Sequence, residues 1–475
     1  MKLFLWCLSL LFALAPVAVE ACPSSCPTAD DVAVQAALDA AAANGGGIVQ
    51  LEPRVYETCA ALIVGSNTHL RGAGRGLTII RGSTQLSPSK FVSGTHAAAT
   101  IASVGATNVT VSDLTVDHLS CERNCNGISF LPSTTPDVVP ANSLVERVEV
   151  LGSGNPSLHN YLIWNLRGRG VKILNNWIDG GVTSDGPQEG IESFGGHDVL
   201  IAGNSVRNVG TACINTGSAD LPNSETDGIT IANNHLTGCG TGIALGTSNA
   251  SYGPQSSASI KMVDNVIIGA RSTGIKIGTT VGTTMHDLTI SRNTIRDMNG
   301  SGVVGIRLFA NGGSLLANTA TAAHTISNNH ISNIRGSFGH GIRLTGYPNA
   351  RIVDNTFTGM DHGAVNAINS NDIEVSGNAI VDGGAAPIQL NTYQGVGFDR
   401  FLVAGNTIEW TGASAAVLVL GGRRGVVRDN VMRRTDAVTT RSPVAFSGGT
   451  CGAIETNNVA WYWPEWRGTS SLACP

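Results

Sequence analysis

Over most of the chain an aliphatic residue is followed, three positions on, by Asn, and two positions after that by another apolar residue. The phrase stands at Ile173/Asn176/Ile178, Ile201/Asn204/Val206, Ile231/Asn234/Leu236, Met262/Asn265/Ile267, Ile290/Asn293/Ile295 and Ile326/Asn329/Ile331. It continues at Ile352/Asn355/Phe357, Val375/Asn378/Ile380, Val403/Asn406/Ile408, Val427/Asn430/Met432 and Ile454/Asn457/Val459, with 23 to 36 residues between copies. The apolar positions flanking each Asn alternate as a half-buried strand requires. Asn tolerates the left-handed backbone of a tight bend, and stacked Asn side chains can bond from copy to copy, satisfying polar groups that the turn buries.

A second phrase lies between successive copies of the first: Gly190-Ile191, Cys213-Ile214, Gly242-Ile243, Gly274-Ile275, Gly305-Ile306, Gly341-Ile342, Ala364-Val365, Pro387-Ile388, Ala416-Val417 and Pro443-Val444. Each opens another short strand, so every coil has at least two sheet faces, and the variable spacing falls in loops, where repeat proteins accept insertions. A propeller needs four strands in ~40 to 45 residues and does not fit these units. The pattern therefore predicts an all-β solenoid, a right-handed parallel β-helix with an N-terminal capping helix over residues 28–43. Thr28, Asp30 and Asp31 are its candidate caps, and Val32, Leu38 and a run of alanines follow. Trp461-Tyr462-Trp463-Pro464 is the candidate C-terminal cap.

Composition agrees. Glycine supplies 59 of 475 residues, above the usual ~7%, and charged residues are 13% where ~25% is ordinary, the balance of a turn-rich β chain. The net charge of -5 argues against a nucleic-acid partner. Residues 1–21 read as a secretory signal, with Lys2, an apolar run, and small residues ending at Ala18 or Ala21. Residues 22–475 then form one domain without a transmembrane segment, secreted to the cell exterior or the periplasm. An oxidising compartment makes disulfides of the remaining cysteines: Cys26 with Cys59, Cys121 with Cys125, Cys213 with Cys239, and Cys451 with Cys474. Cys22 is left over, either unpaired, differently paired, or lipid-bearing at a new N-terminus.

Residues 31–41, Gly45-Gly46-Gly47-Ile48-Val49-Gln50-Leu51, Tyr56 and Leu70-Arg71-Gly72-Ala73-Gly74 resemble the opening of the pectate lyase superfamily. The likeness covers residues 31–82 and departs at Glu52-Pro53-Arg54-Val55, where members usually have a Pro-Gly turn. Asn-repeat coils over 171–460 extend it, and 461–475 closes the chain. The resemblance implies carbohydrate chemistry by a lyase, hydrolase or epimerase, or a tailspike-like binding role. Polygalacturonases carry Asn-Thr-Asp-Gly, Asp-Asp and Gly-His-Gly on successive coils. Gln188-Glu189-Gly190-Ile191-Glu192, Thr211-Ala212-Cys213-Ile214 and Gly240-Thr241-Gly242-Ile243 stand at corresponding points here. The aspartate pair and the histidine are missing, so that chemistry does not carry over, and only Glu189 and Glu192 keep acidic character.

On each Gly-Ile strand the residue after the inward aliphatic should face outward. Read coil by coil this stripe is Glu192, Asn215, Ala244, Lys276, Arg307, Arg343, Asn366, Gln389. Lys276, Arg307 and Arg343 would repel one another at ~4.8 Å spacing unless an anion lay along them, so they are candidate substrate-binding residues, with Asn215, His340 and His362 beside them. Asp185, Glu189, Glu192, Asp220 and Asp227 are the candidate catalytic acids, and Glu225 lies in the same loop. Two chemistries could use them. Asp185, Glu189 and Glu192 could hold Ca²⁺, which neutralises a uronate for β-elimination. Alternatively, two carboxyls could hydrolyse a glycosidic bond at separations of ~5 Å or ~6.5 to 9.5 Å. The expectation is an enzyme degrading an acidic polysaccharide, by β-elimination ahead of hydrolysis, with C5-epimerisation or glycan binding as alternatives. Loops 247–259 and 311–324 are candidate cleft walls, and His159, Asn160, Tyr161 and Trp164 a candidate sugar-stacking surface.

Overall fold

The computed structural model describes residues 28–82, 99–118, 126–133, 137–157, 160–218, 225–247, 256–279, 284–310, 324–392, 397–412, 414–435, 442–461 and 470–472. The expected signal segment, Cys22, Cys26, Cys121, Cys125, Cys474, His159, Asp220, most of loops 247–259 and 311–324, and Tyr462 to Pro464 lie outside these residues.

The strands recur in threes. Over most of the chain every third strand joins the same sheet, giving long sheets of 16, 15 and 14 strands, here sheets 1, 2 and 3, and a fourth strand in three successive coils forms a small three-stranded one. Neighbours pair in parallel, coil upon coil. The antiparallel exception among the described strands is Ser470–Leu472 against Ala453–Thr456. The Asn phrase supplies sheets 1 and 2 with the bend between them, and the Gly-Ile phrase supplies sheet 3. In sheet 3 the inward column Ile163, Ile191, Ile214, Ile243, Ile275, Ile306, Ile342, Val365, Ile388 stacks in register. Each of these side chains is fully buried, which stabilises the fold by ~1.5 to 3 kcal/mol per residue.

The bend is built differently from the sequence expectation. The left-handed residue is the one before the repeated Asn, as at Asn175, Asn233, Asp264, Arg292 and Asn328, with φ of 54°, 55°, 57°, 54° and 55°. That residue turns the chain, and the next Asn is free to point inside the bend. Asn176, Asn204, Asn234, Asn265, Asn293, Asn329, Asn355, Asn378, Asn406 and Asn430 each donate from Nδ2 to the Oδ1 of the Asn one coil on, at 2.8 to 3.1 Å. The same Oδ1 also accepts the preceding coil's backbone N–H. At the last step the ladder residue is Asn458, not Asn457, which carries the left-handed bend itself with φ 53°. Register there aligns Val427 with Glu455, so Ile454 faces outward. The buried Glu455 ends the ladder by accepting from Asn458 Nδ2 at 3.3 Å.

The helix Ala29–Ala43 closes the N-terminal end. Thr28 and Asp31 form its capping box, at 3.0 and 2.9 Å. Val34 and Leu38 are the buried apolar side chains, and Val32 is exposed. Cys213 and Cys239 form a disulfide between adjacent coils. Cys59 and Cys451 are also disulfide-bonded, to partners outside the described residues. Among the described residues no helix is long and apolar enough to cross a membrane.

Candidate functional site

Sheet 3 carries three outward columns. The central one runs Trp164, Glu192, Asn215, Ala244, Lys276, Arg307, Arg343, Asn366, Gln389, each hydrogen-bond register neighbour of the next. On one side of it stand Tyr161 beside Glu189, and further on Ala212, Thr241, Thr273, Val304 and His340. On the other side the column reads Leu166, Phe194, Gly217, Gly246, Gly278, Phe309. Small side chains thus form the middle of the face, between larger groups at either end.

At one end Glu189 and Glu192 lie on the same strand, Glu189–Phe194. Glu192 does not face open solvent as strand alternation suggests, and Glu189 is covered with it: they are 2% and 7% exposed. Tyr161 and Trp164 of the preceding coil cover them, their rings 5.0 Å apart, and with Leu131 and Leu166 they form an apolar patch that Val104 and Phe194 extend. The two carboxyls share a hydrogen bond. Burial raises Glu189 above the usual carboxylate range, opposed by bonds from Glu192 and Asn215, whose Nδ2 donates to Glu189 Oε2 at 2.8 Å. Glu192 is raised well above that range by burial and then by the charge of Glu189. Two carboxyls in contact cannot both ionise, so the pair holds one proton between them. Burial, and then the charges of Glu192 and Glu189, also raise Tyr161, which stays a neutral phenol.

The remaining acids do not join them. Asp185 is exposed on the corner preceding sheet 3, in a salt bridge with Arg271 at 3.0 Å; Arg271 also binds the backbone oxygens of Ser184, Val209 and Gly210. Asp227 and Glu225 are exposed on the opposite corner, where Asp227 enters the small sheet. Among the described residues no three His, Cys, Asp or Glu converge to hold a metal ion. Asp185, Glu189 and Glu192 therefore do not form the calcium ligand set expected from sequence, because Arg271 draws Asp185 away. Nor do Glu189 and Glu192 stand one or two coil steps apart. In mutual contact, they cannot flank a glycosidic bond as the two-carboxyl spacings require.

At the other end are the cations. Lys276, Arg307 and Arg343 stack in register and are half-buried. The Lys276 ammonium and Arg307 guanidinium sit 5.8 and 4.8 Å from the Phe309 ring centre, within cation–π range. Corner arginines pair with acids of neighbouring coils, as Arg147 with Asp113 and Arg292 with Asp264. Among the described residues no such partner meets Lys276, Arg307 or Arg343, and Nε of both arginines is buried without an acceptor. Burial lowers Arg307, and burial plus Arg307 lowers Arg343. His340 is buried, its ring edge-on to His362 at 4.6 Å and its Nε2 3.3 Å from Asn366 Nδ2. Burial, then His362 and Arg343, push its pKa down to about 3, so it is neutral at physiological pH.

The flanking column of Phe194, Gly217, Gly246, Gly278 and Phe309 was missed in the sequence reading. Its signal was present: it lies two positions after the central stripe on the same strands.

A family model described as a right handed beta helix region matches residues 280–460. A search of curated protein sequences found no match. Among solved structures, the pre-mature gene product 12 of bacteriophage phi29 is similar at 14% identity and TM-score 0.53, covering 94% of this chain and 56% of that one. A hyperthermoactive exopolygalacturonase from Thermotoga maritima aligns at 13% identity and TM-score 0.49, covering 84% of this chain and 87% of that one. An Azotobacter vinelandii mannuronan C-5 epimerase A-module aligns at 17% identity and TM-score 0.39, covering 90% and 96%. Coil-by-coil parallel pairing, the family-model match and the likeness to the phi29 gene product together identify the chain as an all-β protein with the right-handed parallel β-helix fold.

Proposed function

We propose that the protein is an extracytoplasmic enzyme that hydrolyses an acidic polysaccharide laid along the outer face of sheet 3. The observation that carries this is the Glu189–Glu192 pair, buried under Tyr161 and Trp164 and holding one proton. A carboxyl kept protonated at neutral pH is the group that general acid catalysis needs. Glu192 gives its proton to the leaving glycosidic oxygen. Water adds to the sugar carbon, and the proton it releases returns by way of solvent to the carboxyl pair, leaving the enzyme unchanged.

Distance favours hydrolysis over β-elimination. Elimination needs a cation on the carboxylate of the very sugar whose bond breaks, whereas Lys276 is three register steps from Glu192, roughly 14 Å at ~4.8 Å per step. Its ammonium also leans onward toward Phe309. The alternative that retains support is elimination at the other end, with Arg307 and Arg343 neutralising a uronate and neutral His340 as base. Incubation with acidic and neutral polysaccharides separates the two. The proposal expects new reducing ends without ultraviolet absorbance, lost in Glu192→Gln. Absorbance from an unsaturated uronate would establish elimination, and a polymer that is bound but never shortened would make the protein a glycan-binding solenoid.

A further inference from the structure

Between the two ends of the site lies a floor made almost entirely of small residues. Across three coils, Thr241, Ala244 and Thr273 stand with Gly217, Gly246 and Gly278. Among the described residues a Cβ at Gly246 would meet nothing within 4 Å. Phe194 bounds the glycines toward the carboxyl pair, and Phe309 bounds them toward the cations. The register from Glu192 to Arg307 passes through Asn215, Ala244 and Lys276, about 19 Å at ~4.8 Å per step, more than one sugar ring spans.

Nothing in the described fold explains the cations. Like charges on directly opposed strand positions repel, half-burial strips some of their water, and no acid of the neighbouring coils offsets them. Elsewhere the chain matches stacked arginines with acids. Here it gathers the half-buried Lys276 and Arg307 beside Phe309, with Arg343 next in register and no acid among the described residues to meet them, which is the arrangement an incoming carboxylate or sulfate completes.

We infer that Lys276, Arg307 and Arg343 form a distal anion subsite, which binds a charged substituent on a sugar several units from the bond being broken. This rests on the cleavage site proposed above and adds a substrate class: acidic glycans long enough to bridge the glycine floor. Short fragments reach the carboxyl pair or the cations but not both, so affinity rises in a step once the chain spans the floor.

The test measures binding of oligogalacturonates of graded length, their carboxyl-reduced counterparts and sulfated oligosaccharides to the Glu192→Gln variant by calorimetry. The expected result is a rise of about tenfold or more in affinity at a threshold length. Adding Arg307→Ala should abolish the step, Arg307→Lys should largely retain it, and fragments below the threshold should bind alike in all three. A step for sulfated chains alone makes the bound group a sulfate ester, and a step for uronates alone makes it a carboxylate. Equal steps for carboxyl-reduced and charged chains, a smooth rise with length, or an Arg307→Ala variant that keeps the step while Arg307→Lys does too would overturn the subsite. Reducing ends released by the wild-type protein report separately on cleavage: a charge-dependent step without chain shortening sinks the hydrolase and leaves the subsite standing.

Discussion

Removing one rung of the amide ladder should cost far more than an ordinary polar substitution. Asn293 Oδ1 accepts from the backbone N–H and Nδ2 of Asn265, both at 3.0 Å, while its Nδ2 donates to Met262 O at 2.8 Å and Asn329 Oδ1 at 2.9 Å. In Asn293→Ala, Asn329 Oδ1 keeps the backbone N–H of residue 293, and Asn265 Nδ2 keeps the carbonyls of Ile231 and Val263. The Asn265 N–H has no substitute. A buried donor left alone costs about 1 to 3 kcal/mol, and the bond lost at Met262 O adds about 1 kcal/mol, so the expected loss is roughly 2 to 4 kcal/mol. Asn328→Gly, next in line to the following rung, is the control. Asn328 has φ 55°, which glycine adopts freely, so it should cost well under about 1 kcal/mol. Urea unfolding followed by circular dichroism gives both values. Equal effects of the two substitutions would show that the ladder contributes no more than its turn.

Glu192→Gln should lower turnover by about 10²- to 10⁴-fold. Wild-type activity should persist above the usual carboxylate range and fall as pH rises through the raised Glu192 value; a rate that grows through that window would rule out an acid role. The fully buried His118, near Thr100 Oγ1 at 3.2 Å, has its pKa pushed by burial from 6.5 down to about 4. The unfolded chain therefore takes up a proton that the fold refuses, and stability should drop by about 3 kcal/mol between pH 6.5 and pH 4 on its account. His118→Gln should flatten that slope in a pH series of urea midpoints, and an unchanged slope would show that other groups set it. Replacing Cys213 and Cys239 with alanine opens a bridge between residues 26 apart, for an expected loss of about 3 kcal/mol in the same assay; no change would mean that stacked coils alone hold that corner.

The fold was legible because a stacked coil repeats its demands. An Asn that bonds its counterpart above and an Ile that packs on its counterpart must recur in phase, so counting positions recovers register over the whole stripe from Glu192 to Gln389. Burial was not legible in the same way. Glu192 is covered by Tyr161 and Trp164, which come from another coil, and strand alternation is blind to what neighbouring rungs lay over a position. Asp185 carries the same charge as Glu189 in sequence, yet Arg271, far along the chain, holds it on the corner. The doublet Asn457-Asn458 defeated the repeat phrase because at the last coil Glu455, not an aliphatic, takes the inward place.

The glycine floor fixes the shape of the proposed binding face in the main chain itself. At Gly217 a Cβ would collide with the carbonyl oxygen of Gly246, and at Gly278 one would lie 2.8 Å from the Phe309 ring. Depth at Gly217 is set by peptide geometry instead of by side-chain rotamers, so a larger residue there would need the main chain to shift. Altered selectivity in relatives or engineered variants would then come from the rims of that face, at Phe194, Lys276 and Phe309, while the bed beneath stays as it is.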